Sequence, residues 1–162
     1  MDYLLAVKAL LLLMAANGAP ILARNLLGRR FDRPVDNHLR LADGQPLFGP
    51  SKTWRGVIAA LVATPVVALA LSLSPWIGLL TAAFAMMGDL LSSFIKRRMH
   101  IVPSDMALGL DQIPESLLPL LVVGPLLGIG WPKVLLLALV FLVLELALSQ
   151  LLYRLNIRKR PY

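Results

Sequence analysis

The chain has no cysteine. Disulfides, thiolate nucleophiles and cysteine-ligated zinc are thereby excluded. It has only two histidines, His38 and His100, too few for a histidine-rich metal site. Charge is also scarce. Asp, Glu, Lys and Arg make up 15% of its 162 residues, against roughly 25% in a soluble domain. What fills the chain is apolar: hydrophobic residues reach 58% and mean hydropathy is +0.75. Several runs are long enough to cross a bilayer, which takes about 20 residues. Residues 1–162 are therefore expected to form one all-α domain, a polytopic membrane helix bundle. The net charge of +7 is expected to sit in cytoplasmic loops, so no nucleic-acid partner is expected.

Five transmembrane helices can be drawn, at about residues 3–23, 57–73, 75–95, 114–129 and 132–153, with ends uncertain by two to four residues. The first opens on Met1-Asp2 without a basic segment, and is expected to be a retained span and not a cleaved signal. The fourth is interrupted by Pro119, Gly124, Pro125 and Gly128. Breaks of that kind are tolerated where neighbours or water satisfy the freed backbone.

All cations except Lys8 and Lys133 fall in three segments: Arg24 to Arg55, Lys96 to Arg98, and Arg154 to Arg160. With five spans, those segments share one side. The positive-inside rule then puts the N-terminus out and the C-terminus in, with two large cytoplasmic loops. Trp54, Trp76 and Trp131 stand at span ends, as an aromatic belt predicts. Arg158-Lys159-Arg160 reads as a headgroup anchor. Membrane lipids are thus an expected partner.

Chemistry concentrates in three segments. The first runs from Gly88 to Arg98. Asp89, Ser93, Lys96 and Arg97 recur at helical spacing and share one face. A carboxylate at membrane depth is costly and marks a functional site by default. Asp89 suits a magnesium ion, which binds one or two carboxylates plus substrate phosphates. Lys96 and Arg97 suit phosphate oxygens. Gly88 leaves room for a close approach by a helix or ligand. The plainer alternative is an Asp89 salt-bridged to a neighbouring lysine, with the cations anchoring the helix.

The second segment runs from Ser104 to Glu115. Pro114 suits the first turn of the fourth helix. Asp111 just ahead of it either joins Asp89 at a metal or caps the helix. The third segment runs from Asp43 to Gly56. Lys52, Thr53 and Arg55 stand where the second helix begins, and cations at a helix N-terminus make an anion site. The spacing is not that of a P-loop, and membrane anchoring explains the cations equally well. Glu145 in the fifth span is expected to need a partner inside the bundle. His38 and His100 read as surface residues.

Taken together these segments resemble the membrane cytidylyltransferases that make CDP-linked lipids, in the CDP-archaeol synthase branch, which is related to CDP-diacylglycerol synthase. The matching runs are Ala16-Asn17-Gly18-Ala19-Pro20, Pro34-Val35-Asp36, Asp43-Gly44, Phe48 to Gly56, Gly88 to Arg98, and Asp111-Gln112. The family's Gly-Lys-Thr stands here as Ser51-Lys52-Thr53, Ser92 stands where a Lys or Glu is common, and Ile113-Pro114-Glu115 follows Asp111-Gln112 in place of the usual acid or apolar run.

The resemblance implies transfer of CMP from CTP to a lipid phosphate, phosphatidic acid or an isoprenoid glycerol phosphate, with release of pyrophosphate. It implies Mg2+ held by Asp89 and Asp111. Lys96 and Arg97 would hold phosphate groups, and Lys52, Thr53 and Arg55 the CTP phosphates or the lipid phosphate. Ser93 would donate or accept a supporting hydrogen bond, and Asn17 and Asp36 would shape the nucleotide or lipid pocket. A homodimer through a glycine-rich face is compatible with it. The competing expectation is a non-catalytic protein that binds anionic lipid or a partner through the same basic loops.

Overall fold

The computed structural model describes residues 2–102 and 107–154. It contains five helices: α1 (Asp2–Leu27), α2 (Trp54–Ala70), α3 (Pro75–Arg98), α4 (Gln112–Leu126) and α5 (Trp131–Arg154). Among the described residues there is no strand, only two isolated antiparallel bridges, Pro34 with Thr53 and Arg40 with Pro46. Five expected spans correspond to five helices. Three of them, α1, α3 and α5, are long and apolar enough to cross a membrane. The other two are shorter, α2 with 17 residues and α4 with 15. Asp105 and Arg158 to Arg160 lie outside the described residues.

The polarity of the bundle is inside out. Ile58, Val62, Val66 and Leu69 of α2 are exposed, as are Leu135, Leu139 and Val143 of α5. Those spacings draw one outward stripe along each helix. Meanwhile Thr64, Ser92 and Ser116 are fully buried, and Lys96, Arg97 and Glu115 are buried too. In water this would leave apolar faces uncovered and bury charge at a loss. In lipid the same leucines and valines meet hydrocarbon, and the charges are hidden from it.

Small residues set the helix crossings. A Cβ on Gly78 would lie 2.6 Å from the Thr64 carbonyl oxygen and 2.7 Å from Pro65 Cα, so α3 and α2 touch backbone to backbone there. Gly88 meets the backbone of Pro114 and Glu115 in the same way, which closes α3 on α4. At the α4–α5 crossing Gly124 instead makes room for a side chain, since a Cβ there would lie 2.8 Å from Val134 Cγ2. Close approach through small residues is how helices gain contact area when lipid gives no hydrophobic drive. The apolar core joins α1, α4 and α5 through Leu13, Leu120, Val134 and Phe141.

Local sequence sets the helix ends. Thr53 caps α2, its hydroxyl oxygen accepting from Gly56 N–H at 3.3 Å. Pro75 occupies the first turn of α3, where its missing N–H costs nothing. Pro119 and Pro125 lie inside α4, yet the helix is continuous from Gln112 to Leu126. Between α1 and α2 the chain doubles back. Val35 N–H donates to Lys52 O at 2.8 Å and Trp54 N–H to Arg33 O at 3.0 Å. Arg98 then ties this loop to the end of α3, donating to Asp43 Oδ2 at 2.6 Å and to Pro46 O at 2.7 Å.

Candidate active site

One open cavity of about 490 Å³ lies between the helices and the first long loop. Asp89, Ser93, Lys96 and Arg97 all line it, as their shared helix face predicts. The loop adds Lys52 and Thr53, and the first turn of α2 adds Arg55. The start of α4 adds Asp111, Gln112 and Glu115, and α1 adds Asn17. Nine of the ten residues singled out in the sequence therefore share one chamber. The tenth, Asp36, does not reach it.

Two lysine–carboxylate pairs organise the chamber. Lys52 from the loop pairs with Asp89 of α3. Lys96 of α3 pairs with Asp111, Nζ to Oδ1, at 2.6 Å. Glu115 adds a third carboxyl group, in hydrogen-bond contact with Asp89. Burial disfavours the charge on Lys52. The Asp89, Glu115 and Asp111 carboxylates outweigh that cost and raise its ammonium above the ordinary lysine value. Asp89 thus has a lysine partner, as the plainer reading of this residue had it. That lysine comes from another element and faces the chamber. Asp111 stands at the cap position of α4 without a side-chain capping bond. It accepts instead from Ala107 N–H at 3.0 Å.

Several expected ligands are already engaged. Arg55 is buried, and its guanidinium donates to Gly28 O at 2.8 Å, Arg30 O at 2.7 Å and Asp32 Oδ1 at 2.8 Å. It borders the chamber while anchoring the exit of α1. The Thr53 oxygen caps α2, which leaves its O–H as a donor. Asn17 donates through Nδ2 to Leu13 O at 3.1 Å, leaving its amide oxygen as an acceptor. Asp36, expected at the substrate pocket, lies beneath the loop. It accepts from His38, Phe48 and Gly49 N–H groups at 3.1, 3.0 and 2.8 Å. Burial pushes its carboxyl up, but those three donors and the charge of His38 prevail and hold it below the ordinary value.

Glu115, Glu145 and Ser149 also line the chamber. Glu115 carried a readable signal: it stands four residues after Asp111, on the same face of a helix. Glu145 meets the expectation of a place inside the bundle, and that place is the chamber wall. Among the described residues no group of three His, Cys, Asp or Glu side chains is arranged to hold a metal ion by itself. The donor set still fits magnesium, because Asp89 and Asp111 supply two carboxylates and that ion commonly completes its shell with substrate phosphates.

A helix bundle with leucine outside and lysine–carboxylate pairs around an interior chamber is an integral membrane protein with a polar interior. A family model described as CarS-like, CDP-archaeol synthase, matches residues 72–162. A CDP-archaeol synthase of Pyrococcus furiosus is 32% identical over 157 residues, covering 91% of this chain and 90% of the relative. That of Saccharolobus solfataricus is 32% identical over 168 residues, covering 99% and 97%. That of Hyperthermus butylicus is 34% identical over 114 residues, covering 67% of this chain and 65% of the relative. A solved structure of an intramembrane enzyme for archaeal membrane lipids biosynthesis superposes with a TM-score of 0.70 at 32% identity, covering 89% of this chain and 92% of that one. The chain belongs to the CDP-archaeol synthase family.

Proposed function

We propose that the protein transfers CMP from CTP to an isoprenoid glycerol phosphate, giving a CDP-lipid of the archaeol type and pyrophosphate. The observation that carries this reading is the pair of interior, partly buried lysine–carboxylate contacts, Lys52 with Asp89 and Lys96 with Asp111, around one chamber in a bundle whose outer face is apolar. The names of the relatives supply the lipid class.

In this reaction an oxygen of the lipid phosphate attacks the α-phosphorus of CTP. The bond from that phosphorus to the bridging oxygen of pyrophosphate breaks, and pyrophosphate leaves with the electron pair. No side-chain nucleophile is required. The barrier is the approach of two polyanions, so positioning and charge stabilisation dominate. Lys52, Lys96 and Arg97 place cations around the chamber where phosphate oxygens must sit. Each lysine is held in place by a carboxylate until phosphate competes for it. Ser93 and Thr53 offer hydroxyl donors along the same wall, and Asn17 an amide. Asp89 and Asp111 would hold Mg2+, which supplies neutralisation of the attacking and leaving oxygens. The basic loops favour a chamber mouth on the cytosolic side, with the N-terminus out. CTP then enters from water while the lipid chains stay among the helices.

The test is incorporation of cytosine-labelled CTP into lipid by purified protein with Mg2+. The acceptors are an isoprenoid glycerol phosphate and phosphatidic acid. Label in the isoprenoid product, with unlabelled pyrophosphate released in equal amount, is expected. No label with either acceptor overturns the assignment, and label with phosphatidic acid alone overturns the lipid class.

A further inference from the structure

Asp36 was expected to shape the nucleotide or lipid pocket and does not line the chamber. Its carboxylate faces backbone instead. Oδ2 accepts from both Phe48 and Gly49 N–H groups, at 3.0 and 2.8 Å, and Oδ1 accepts from His38 N–H at 3.1 Å. Only 7% of the residue is exposed. Gly49 adopts φ +98°, a conformation that side-chain-bearing residues avoid. The Gly49 carbonyl then accepts from Lys52 N–H at 3.2 Å. On the opposite flank, Val35 N–H donates to the Lys52 carbonyl at 2.8 Å. The backbone of Lys52 is therefore held on both sides, its carbonyl by Val35 and its N–H by Gly49, which Asp36 in turn holds. Its side chain alone enters the chamber, to Asp89.

We propose that Asp36 is a positioning residue: by gathering the Phe48 and Gly49 amides it fixes the turn that aims Lys52 at the phosphate groups of the nucleotide. This rests on the cytidylyl transfer proposed above. A carboxylate accepting several backbone N–H groups gives strong charge-assisted bonds. Errors of about 1 Å in a positioned group are enough to cost on the order of 100-fold in rate. A lysine with four rotatable bonds loses most of its value when its backbone drifts. Three features separate this role from general loop stability. The loop is independently fastened by Arg55 at one end and by Arg98 near its tip. Beyond its own turn at His38, Asp36 bonds the turn just before Lys52. And its effect must run through the Lys52 side chain.

The experiment is a double-mutant cycle on the full chain in lipid, with Asp36→Ala, Lys52→Ala and the double variant. Asp36→Asn is the milder companion, since it keeps the shape and one acceptor oxygen. Asp36→Ala is expected to raise KM for CTP about tenfold and leave KM for the lipid phosphate within about twofold. Asp36→Asn is expected to fall between Asp36→Ala and wild type. Added to Lys52→Ala, the Asp36→Ala change is expected to cost little more. Full additivity, or equal loss toward both substrates, overturns the proposal. A wild type with no turnover overturns the proposed function. The positioning role is then read from equilibrium binding of labelled CTP, where equal affinity of wild type and Asp36→Ala overturns it.

Discussion

Lys52 and Asp89 lie 37 positions apart and meet as an ion pair inside the bundle. One comes from the loop after α1, the other from the middle of α3. The pair fastens the loop over the chamber and also sets the two charges that the proposed chemistry uses most directly. Fastening and reaction are then coupled. A phosphate that drew the ammonium of Lys52 away would part it from Asp89 and loosen the loop at the same moment.

Asp89→Asn tests that coupling. It preserves shape and removes the charge that answers Lys52. Turnover is expected to fall by about two to three orders of magnitude, as when one preorganised electrostatic contact to a transition state is removed. Incorporation of labelled CTP measures it, and the yield of monodisperse protein in detergent reports folding. Turnover within a fewfold of wild type would sink the assignment.

Lys96 and Asp111 permit a different separation. Lys96→Met leaves the partly buried Asp111 carboxylate without its lysine, and an interior charge that loses its partner is destabilising. Thermal unfolding is expected to shift down sharply. Exchanging the two, Lys96→Asp with Asp111→Lys, is expected to recover much of the stability and none of the turnover. Recovery of both would reduce the pair to a structural contact.

Chelation addresses the metal. Activity is expected to vanish in EDTA and to return with Mg2+. The thermal midpoint is expected to move little without nucleotide, because phosphates complete the ion's shell. A large Mg2+-dependent midpoint shift in the absence of CTP would point instead to a cation held by protein alone.

Acid loosens the loop through Asp36. An aspartate in an unfolded chain titrates near about 3.9, and Asp36 in the folded protein titrates lower. The folded state thus binds fewer protons in that window. Its stabilisation by Asp36 is complete above the unfolded value and is lost as pH falls through the folded one. Exchange protection at the Phe48 and Gly49 amides, corrected for intrinsic rates, is expected to be flat from about pH 5 to about pH 8 and to drop below about pH 4. In Asp36→Ala the protection should be low throughout, with no acid step.

Gly78 tests the bundle apart from the chemistry. Gly78→Ala drives a methyl into the α2 backbone, and overpacking of this kind costs about 1–3 kcal/mol. The thermal midpoint is expected to fall by several degrees, while turnover per folded molecule stays near wild type. An unchanged midpoint would show that α2 and α3 separate at no cost.

Much of this was legible before any coordinates. Apolar length and the clustering of cations gave five helices, and helical spacing put Asp89, Ser93, Lys96 and Arg97 on one face. Gly88 announced a close approach, which the backbone of Pro114 and Glu115 makes. What the chain could not reveal was partnership between elements. Nothing local shows that Lys52 selects Asp89 while Asp111 takes Lys96, since that depends on how the loop folds back. Arg55 read either as a phosphate ligand at a helix start or as a membrane anchor. Its use on the carbonyls of Gly28 and Arg30 depends on a 25-residue return of the chain. Asp36 misled for the same reason. A short resemblance such as Pro34-Val35-Asp36 does not show whether the acid faces a ligand or a backbone turn.

The outward stripes of leucine, isoleucine and valine have an evolutionary consequence. Hydrocarbon has no shape to match, so these positions can exchange one apolar residue for another almost without penalty. The inward glycines and the charged face of α3 have no such freedom, because a methyl at Gly78 or Gly88 strikes backbone. Sequence drift in this protein should therefore be lopsided, fast on the side that meets lipid and nearly frozen on the side that meets the chamber. A comparison across distant relatives that weights all positions alike will understate how closely their interiors agree.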